Sequence, residues 1–165
     1  METLHIRPAQ TIDLDRIWEL WKAIMDQKIY FPYDEQYGRD DIEKEWINLG
    51  NACFVAELHQ EVVGAYILQP NQPGHGKHIA NAAYLVDTNI RGHGIGTKLC
   101  AHSVAAAKEI GYRGIQFNLV VSTNKAAINA WLSNGFKIIG TVPGGFHHHE
   151  LGYVDAHIFF RSLVT

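Results

Sequence analysis

The segment Ile90-Arg91-Gly92-His93-Gly94-Ile95-Gly96-Thr97 narrows the possible folds more than any other stretch of the chain. A strand-like apolar run, Ile79–Val86, leads into it, and an amphipathic stretch over 94–110 leads out. Strand, glycine-rich turn and helix together make an anion site. Glycines let the backbone approach a ligand, and the first N–H groups of the helix have no partner within it. The helix dipole adds to their pull on negative charge. The pattern predicts a cradle for a pyrophosphate. A P-loop needs Lys followed by Ser or Thr, whereas here Thr97 precedes Lys98. A dinucleotide fingerprint counted from Gly92 needs a third small residue where Thr97 stands. Glycines also serve ordinary turns, so the rest of the chain must decide.

Taken in order, the pattern predicts β-α-α-β-β-β-α-β-α-β-β. Leu4 to Arg7 alternates and stops at Pro8. Thr11 is placed to cap a first helix carrying Leu14, Ile17, Trp18, Trp21, Ile24 and Met25. An aromatic loop over 28–39 follows, and Asp40 with Glu43 has the spacing of a capping box for a second helix. Strands at 52–58 and 62–68 are joined by His59-Gln60-Glu61. The third helix places Ile95, Leu99, Ser103, Ala106 and Ile110 on one face and ends at Gly111. A strand over 115–121, a helix opened by Ser122-Thr123-Asn124 and strands at 136–142 and 154–161 complete the chain. A polar loop from Pro143-Gly144-Gly145 through His147-His148-His149 is expected between the last two strands. The order implies an α/β mixed sheet with helices on both faces. Its fourth and fifth strands run parallel through a right-handed crossover.

At 165 residues, the chain reads as one domain over 1–165 with a sizeable core. A net charge of −3 with scattered Lys and Arg argues against a nucleic-acid partner. No apolar run is long enough for a membrane span, and residues 1–10 lack the apolar core of a secretory signal. Cys53 and Cys100 sit in apolar stretches, as small core residues of a reducing compartment do. A cytoplasmic protein is the expectation.

The spacing left in the turn is Arg-x-x-Gly-x-Gly, formed by Arg91, Gly94 and Gly96. It resembles the acyl-CoA-binding motif of the GCN5-related N-acetyltransferases (GNAT). A second segment, Asn124-x-x-Ala127-x-x-Ala130-Trp131-Leu132-x-x-Gly135-Phe136, is similar to that family's Asn-x-x-Ala…Tyr…Gly-Phe stretch. The resemblance implies the GNAT acyl-CoA N-acyltransferase fold: a central twisted mixed sheet whose fourth and fifth strands splay apart. It implies that the backbone of Arg91, Gly92, His93, Gly94, Ile95, Gly96 and Thr97 holds the pyrophosphate of acetyl-CoA. Leu85 and Val86 would pair with the pantetheine arm, with the Val86 N–H acting on the thioester carbonyl. Asn124, Ala127 and Trp131 complete the implied cofactor set. Trp131 stands where the family often has a Tyr acid, and an indole N–H is no useful acid. Tyr84 and Tyr153 are the substitutes to test. No metal is implied. A homodimer through the last strands follows from fold analogy alone.

Asn81 and Asn118 are polar residues inside apolar strands. Each either satisfies an irregular backbone or lines an acceptor pocket where the strands part. Asn81, Gln116-Phe117-Asn118, Ser122-Thr123-Asn124 and Gly140 to Gly145 resemble the branch with fungal azetidine-2-carboxylate (proline-analogue) acetyltransferases. That branch implies a catalytic or substrate role for both asparagines and a small amino or imino acid as acceptor. Tyr30 and Phe31 would wall the acceptor side, and Glu57 is a candidate base. Adjacent His147-His148-His149 point to alternate faces and cannot simply converge on a metal. The implied activity is acetyl-CoA-dependent transfer to a small-molecule amine. A protein or peptide N-acetyltransferase and a non-catalytic CoA-binding sensor remain the alternatives.

Overall fold

A computed structural model describes residues 3–90 and 92–165. The strands are β1 (His5–Pro8), β2 (Ala52–Leu58), β3 (Glu61–Pro70), β4 (Ile79–Val86), β5 (Gly114–Val121), β6 (Lys137–His148) and β7 (Gly152–Ser162). The helices are α1 (Leu14–Met25), α2 (Arg39–Ile42), α3 (Ile95–Ile110) and α4 (Lys125–Ser133). The seven strands form one sheet in the order β1-β2-β3-β4-β5-β7-β6. Among the described residues β4 and β5 are the one parallel pair, and the crossover between them is α3. No described helix is long and apolar enough to cross a membrane.

Strand alternation divides the core into two layers. On β3, Tyr66 and Leu68 face α3 and α4, where Leu99, Cys100, Val104, Ala107 and Trp131 are buried. Ala65 and Ile67 face the opposite way, against Ile17, Leu20 and Trp21 of α1 and Ile42 of α2. Gly64 lets α3 approach the sheet, because a Cβ there would stand 3.0 Å from both Leu85 O and Leu99 Cδ1.

Several local expectations are corrected. Gln10, not Thr11, starts the first helical segment: its N–H donates to Asp13 Oδ2 at 2.7 Å, and 11–13 form a 3₁₀ turn ahead of α1. The cap of α2 is the Gly38 N–H on Asp41 Oδ2, at 2.8 Å, rather than an Asp40–Glu43 pair. The helix then widens over Glu43–Asn48, where the Leu49 N–H reaches back to Lys44 O. The β2–β3 turn has two residues, not three. Leu58 pairs with Glu61, and His59 and Gln60 take φ of 52° and 66°, as a tight hairpin turn needs. On α3, Ile110 is exposed, and the buried stripe instead takes in Cys100, Val104 and Ala107. Finally, Pro143-Gly144-Gly145 is no loop but lies inside β6. The register passes from Val142↔Ala156 to Phe146↔Val154 across a wide bulge, where the Gly144 N–H donates to Asp155 Oδ1 at 3.0 Å. β6 is an outer strand, so Pro143 deprives no neighbour of a ladder bond.

Candidate active site

The sheet is parted at its centre. β4 and β5 pair only at Ile79↔Gly114 and Ala80↔Ile115, at the foot of two eight-residue strands. Beyond Ala80 the strands diverge. The backbone of β4 shows what this leaves open. Asn71 N donates to Ile79 O, and Asp87 N to Val63 O, so odd-numbered positions of β4 bond to β3. The alternation of an antiparallel ladder then turns the N–H and C=O of Ala82, Tyr84 and Val86 toward the split.

A cleft of about 450 Å³ runs through this gap. Its walls come from both faces of the sheet. Tyr84, Phe117 and Trp131 belong to the α3/α4 layer, whereas Ile24, Phe31 and Ala83 belong to the α1 layer. A ligand in the cleft is therefore reachable from two sides.

At one mouth lies the glycine turn. Gly92 and Gly94 have φ of 79° and 62°, which suits glycine, and nothing stands within 4 Å of where a Cβ would project at either. Lys98 N donates to Gly94 O, so the N–H groups of Ile95, Gly96 and Thr97 precede the first intrahelical bond. Gly94, Gly96 and Thr97 border the cleft, as do Val86, Asn124, Ala127 and Trp131. Asn124 also caps α4, its Oδ1 accepting from the Ala127 N–H at 3.2 Å. Among the described residues, the remaining members of the expected cofactor set do not border the cleft with their side chains. The Leu85 and Ile95 side chains are core residues, and Leu85 bonds its backbone toward β3. Gly92 and His93 are exposed beside the cleft rather than in its wall. Arg91 lies outside the described residues.

The acid position is occupied by packing. Trp131 is buried, its ring 4.7 Å from Tyr84 and 5.0 Å from Phe117. The Tyr84 hydroxyl lies 2.6 Å from Ser103 Oγ, which itself donates to Cys100 O at 2.7 Å. Burial pushes the Tyr84 phenol well above its ordinary pKa. Its proton is therefore held inside the core. Tyr153 is exposed on β7 and stacks on His147, away from the cleft. Neither cysteine borders the cleft, and burial pushes both thiols up to about 12.

Tyr30 and Phe31 line the cleft. The other aromatics of that loop, Tyr33 and Tyr37, pack on Trp21 at 5.1 and 4.9 Å, and Phe31 joins them on the same ring at 5.9 Å. Glu57 is bound by the Arg7 guanidinium at 2.7 Å and stands away from the cleft. Asn81 and Asn118 are not in the cleft wall and are not buried. They meet across the split, because both side-chain amides donate to Asn71 Oδ1, at 3.2 and 2.7 Å. Several polar residues near the site escaped the sequence reading, Asp87 and Thr88 of the cleft wall among them. Gln27, one turn beyond Ile24 at the end of α1, borders the cleft. Asn71 joins the amide network. Gln27 was recoverable from its i+3 spacing to Ile24, whereas nothing local marks Asn71.

The overall architecture has close counterparts. The chain is similar to the solved structure of a GCN5-related N-acetyltransferase from Kribbella flavida, at 35% identity and a TM-score of 0.92 over 96% of this chain and 97% of that one. It shares its fold with yncA of Salmonella typhimurium, a structure described with its cofactor acetyl-CoA, at 20% identity and a TM-score of 0.85 over 99% and 95%. The acetyltransferase (GNAT) family profile matches residues 14–136, and the chain belongs to that family. It is also 38% identical, over 107 residues, to N-acetyltransferase aca1 of Schizosaccharomyces pombe, covering 62% of this chain. The match spans about half the length of that relative, 51%.

Proposed function

We propose that the chain is an acetyl-CoA-dependent N-acetyltransferase acting on the amine of a small amino or imino acid. The observation that carries the proposal is a single cleft through the parted sheet, with helix-start amides at one mouth and an aromatic wall at the other. Acetyl-CoA would supply a thioester-activated acetyl group. The turn over 92–97 suits its pyrophosphate, and the open edge of β4 suits its extended arm. The Val86 N–H faces the split and would stabilise negative charge on the acyl oxygen. Asn124, Ala127 and Trp131 shape the facing wall. Tyr30, Phe31 and Gln27 bound the acceptor side, with Asn81 and Asn118 beside it.

The neutral amine would add to the thioester carbon, placing the negative charge on the oxygen beside the Val86 N–H. The C–S bond would break as that oxygen re-forms the carbonyl, releasing the thiolate, which takes a proton from solvent. The amine proton passes to solvent. A thiol with a pKa of about 8.5 leaves without an acid, which accommodates Trp131. Direct attack also agrees with the cysteines, since neither is placed or ionised to carry an acyl group. Support for an imino-acid acceptor comes from the resemblance around Asn81 and Asn118 to the azetidine-2-carboxylate acetyltransferases. A homodimer through the last strands belongs to the same proposal: the outer strand β6 carries exposed Ile138, Ile139 and Val142.

Thiol release from acetyl-CoA, measured over a panel of amino acids, imino acids and polyamines with a no-acceptor blank, tests the activity. Saturable turnover with one small class is expected. Tight acetyl-CoA binding without turnover would instead favour a protein acceptor or a sensor. Failure to bind acetyl-CoA would overturn the assignment of 92–97.

A further inference from the structure

We infer that Arg16, on α1 in the layer opposite α3, is a positioning residue for acetyl-CoA: it neutralises the Asp87 carboxylate that borders the cofactor's cleft. The inference rests on acetyl-CoA binding through residues 92–97. Among the described residues, Asp87 is the one charged side chain in the cleft wall, and its sign is the wrong one for a ligand that carries phosphates. It shares that wall with Gly94, Gly96 and Thr97 of the anion site. The Asp87 side chain is only 12% exposed, so solvent does little to screen it.

A carboxylate stands there because it has a second use. Asp87 follows β4 directly, and its backbone N–H donates to Val63 O at 2.8 Å. Its Oδ1 accepts from the Asn89 N–H at 2.9 Å, and its backbone C=O accepts from the Ile90 N–H at 3.1 Å. These bonds fold 87–90 into the turn that leads the chain to Gly92 and Gly94. Oδ2 is left for Arg16, whose Nη2 donates to it at 2.6 Å. The same guanidinium donates from Nε to Val62 O at 2.9 Å, so β3 holds it in place as well. Its Nη1 also meets Glu19 Oε2 at 3.2 Å, but the Glu19 side chain is 65% exposed and water screens its charge. One oxygen of Asp87 thus shapes the turn, and the charge on the other is cancelled. Without Arg16 the turn would keep its own bonds and would present an unpaired negative charge to the phosphates.

Asp87→Asn keeps the oxygen that the turn needs and removes the charge, which separates the two uses. Calorimetric titration of the protein with acetyl-CoA at low salt, with no acceptor present, reads the difference. Arg16→Met is expected to weaken binding about tenfold, and Asp87→Asn to bind within about threefold of the parent or more tightly. The R16M/D87N pair should return to within about threefold of the parent, because no uncompensated charge remains. Arg16→Lys keeps the charge while giving up the Val62 bond, and should bind as the parent does. The R16M deficit should also shrink as salt is raised. A merely structural tie between α1 and the turn gives the opposite pattern: D87N would bind as poorly as R16M, and the pair would not recover. Either result would overturn the inference, and D87N answers on its own should R16M not fold. A parent that binds acetyl-CoA with R16M indifferent would remove the inference alone. A parent that does not bind acetyl-CoA would remove the assignment of 92–97 along with it.

Discussion

Gly96 shows how one hydrogen atom can separate stability from binding. It lies in the first turn of α3 with ordinary helical backbone, and a Cβ there would meet only Val86 Cγ2, at 3.8 Å. Gly96→Ala should therefore fold unimpaired and gain about 0.5 kcal/mol of helix propensity. The added methyl enters the cleft beside Val86, so the KM for acetyl-CoA should rise about tenfold, or 1.4 kcal/mol. Thermal unfolding and acetyl-CoA titration read the two effects separately. Tyr84 gives the complementary case, since its ring borders the cleft and its hydroxyl is bonded to Ser103. Tyr84→Phe should cost about 1 kcal/mol of stability yet leave the pH profile of kcat unmoved. A profile that lost its alkaline limb would instead make Tyr84 the acid. At this scale the sequence is most legible where function is local. The caps and turns of 92–97 and 124–127 are contiguous, and their residue types declare their φ values and acceptors. Asn71 is silent because its partners lie 10 and 47 positions away.

Among the elements, β1 and α1 are joined by charge as well as by packing. Arg7 grips Asp13 with two hydrogen bonds of 2.9 Å and also holds Glu57 on β2. Asp13 is 5% exposed. The hydrogen bonds from Arg7, opposed by burial and helped by the Gln10 N–H, hold its carboxyl below the usual range. Since the folded pKa is depressed, the stabilisation is fully present above the unfolded value of about 4 and is lost as pH falls through the lower folded value. Asp13→Asn should cost about 2 kcal/mol at pH 7 and flatten the acid limb of a stability-against-pH curve. Most elements were readable from period and punctuation, and the parallel β4–β5 crossover followed from the intervening helix. The last two strands were placed, but β6 was expected to stop at Val142 and runs on to His148. Pro143-Gly144-Gly145 has the composition of a loop, and only the position of β6 at the sheet's outer edge lets those residues remain in a strand. The β2–β3 hairpin was placed at His59-Gln60-Glu61 but read one residue too long, because neither His59 nor Gln60 advertises a left-handed backbone as Asn-Gly would.

For the whole molecule, the two ends of the sheet differ. β1 is four residues long and ends in Pro8, which blunts it. The first half of β6 offers open backbone flanked by exposed Ile138 and Ile139, with Leu132 of α4 also exposed. A homodimer built there should give a light-scattering mass near twice 18.6 kDa. Ile139→Lys should halve it without loss of helical signal. A monomeric parent would remove β6 from consideration as an interface.

The parted sheet has a mechanical meaning as well. Its two halves, β1 to β4 and β5 to β6, share two paired backbone positions, with the Asn118–Asn71 hydrogen bond, the Tyr84–Phe117 ring contact and the packing of α3 as further ties. They resemble the boards of a book held by a short length of binding. An extended molecule lying along β4 would act as a splint, offering Ala82, Tyr84 and Val86 the backbone partners that β5 withholds. Occupancy should therefore slow amide exchange at those alternate positions while leaving Ala83 and Leu85, already bonded to β3, as they were. The ligand would be felt first as a missing piece of secondary structure, and only then as a reactant.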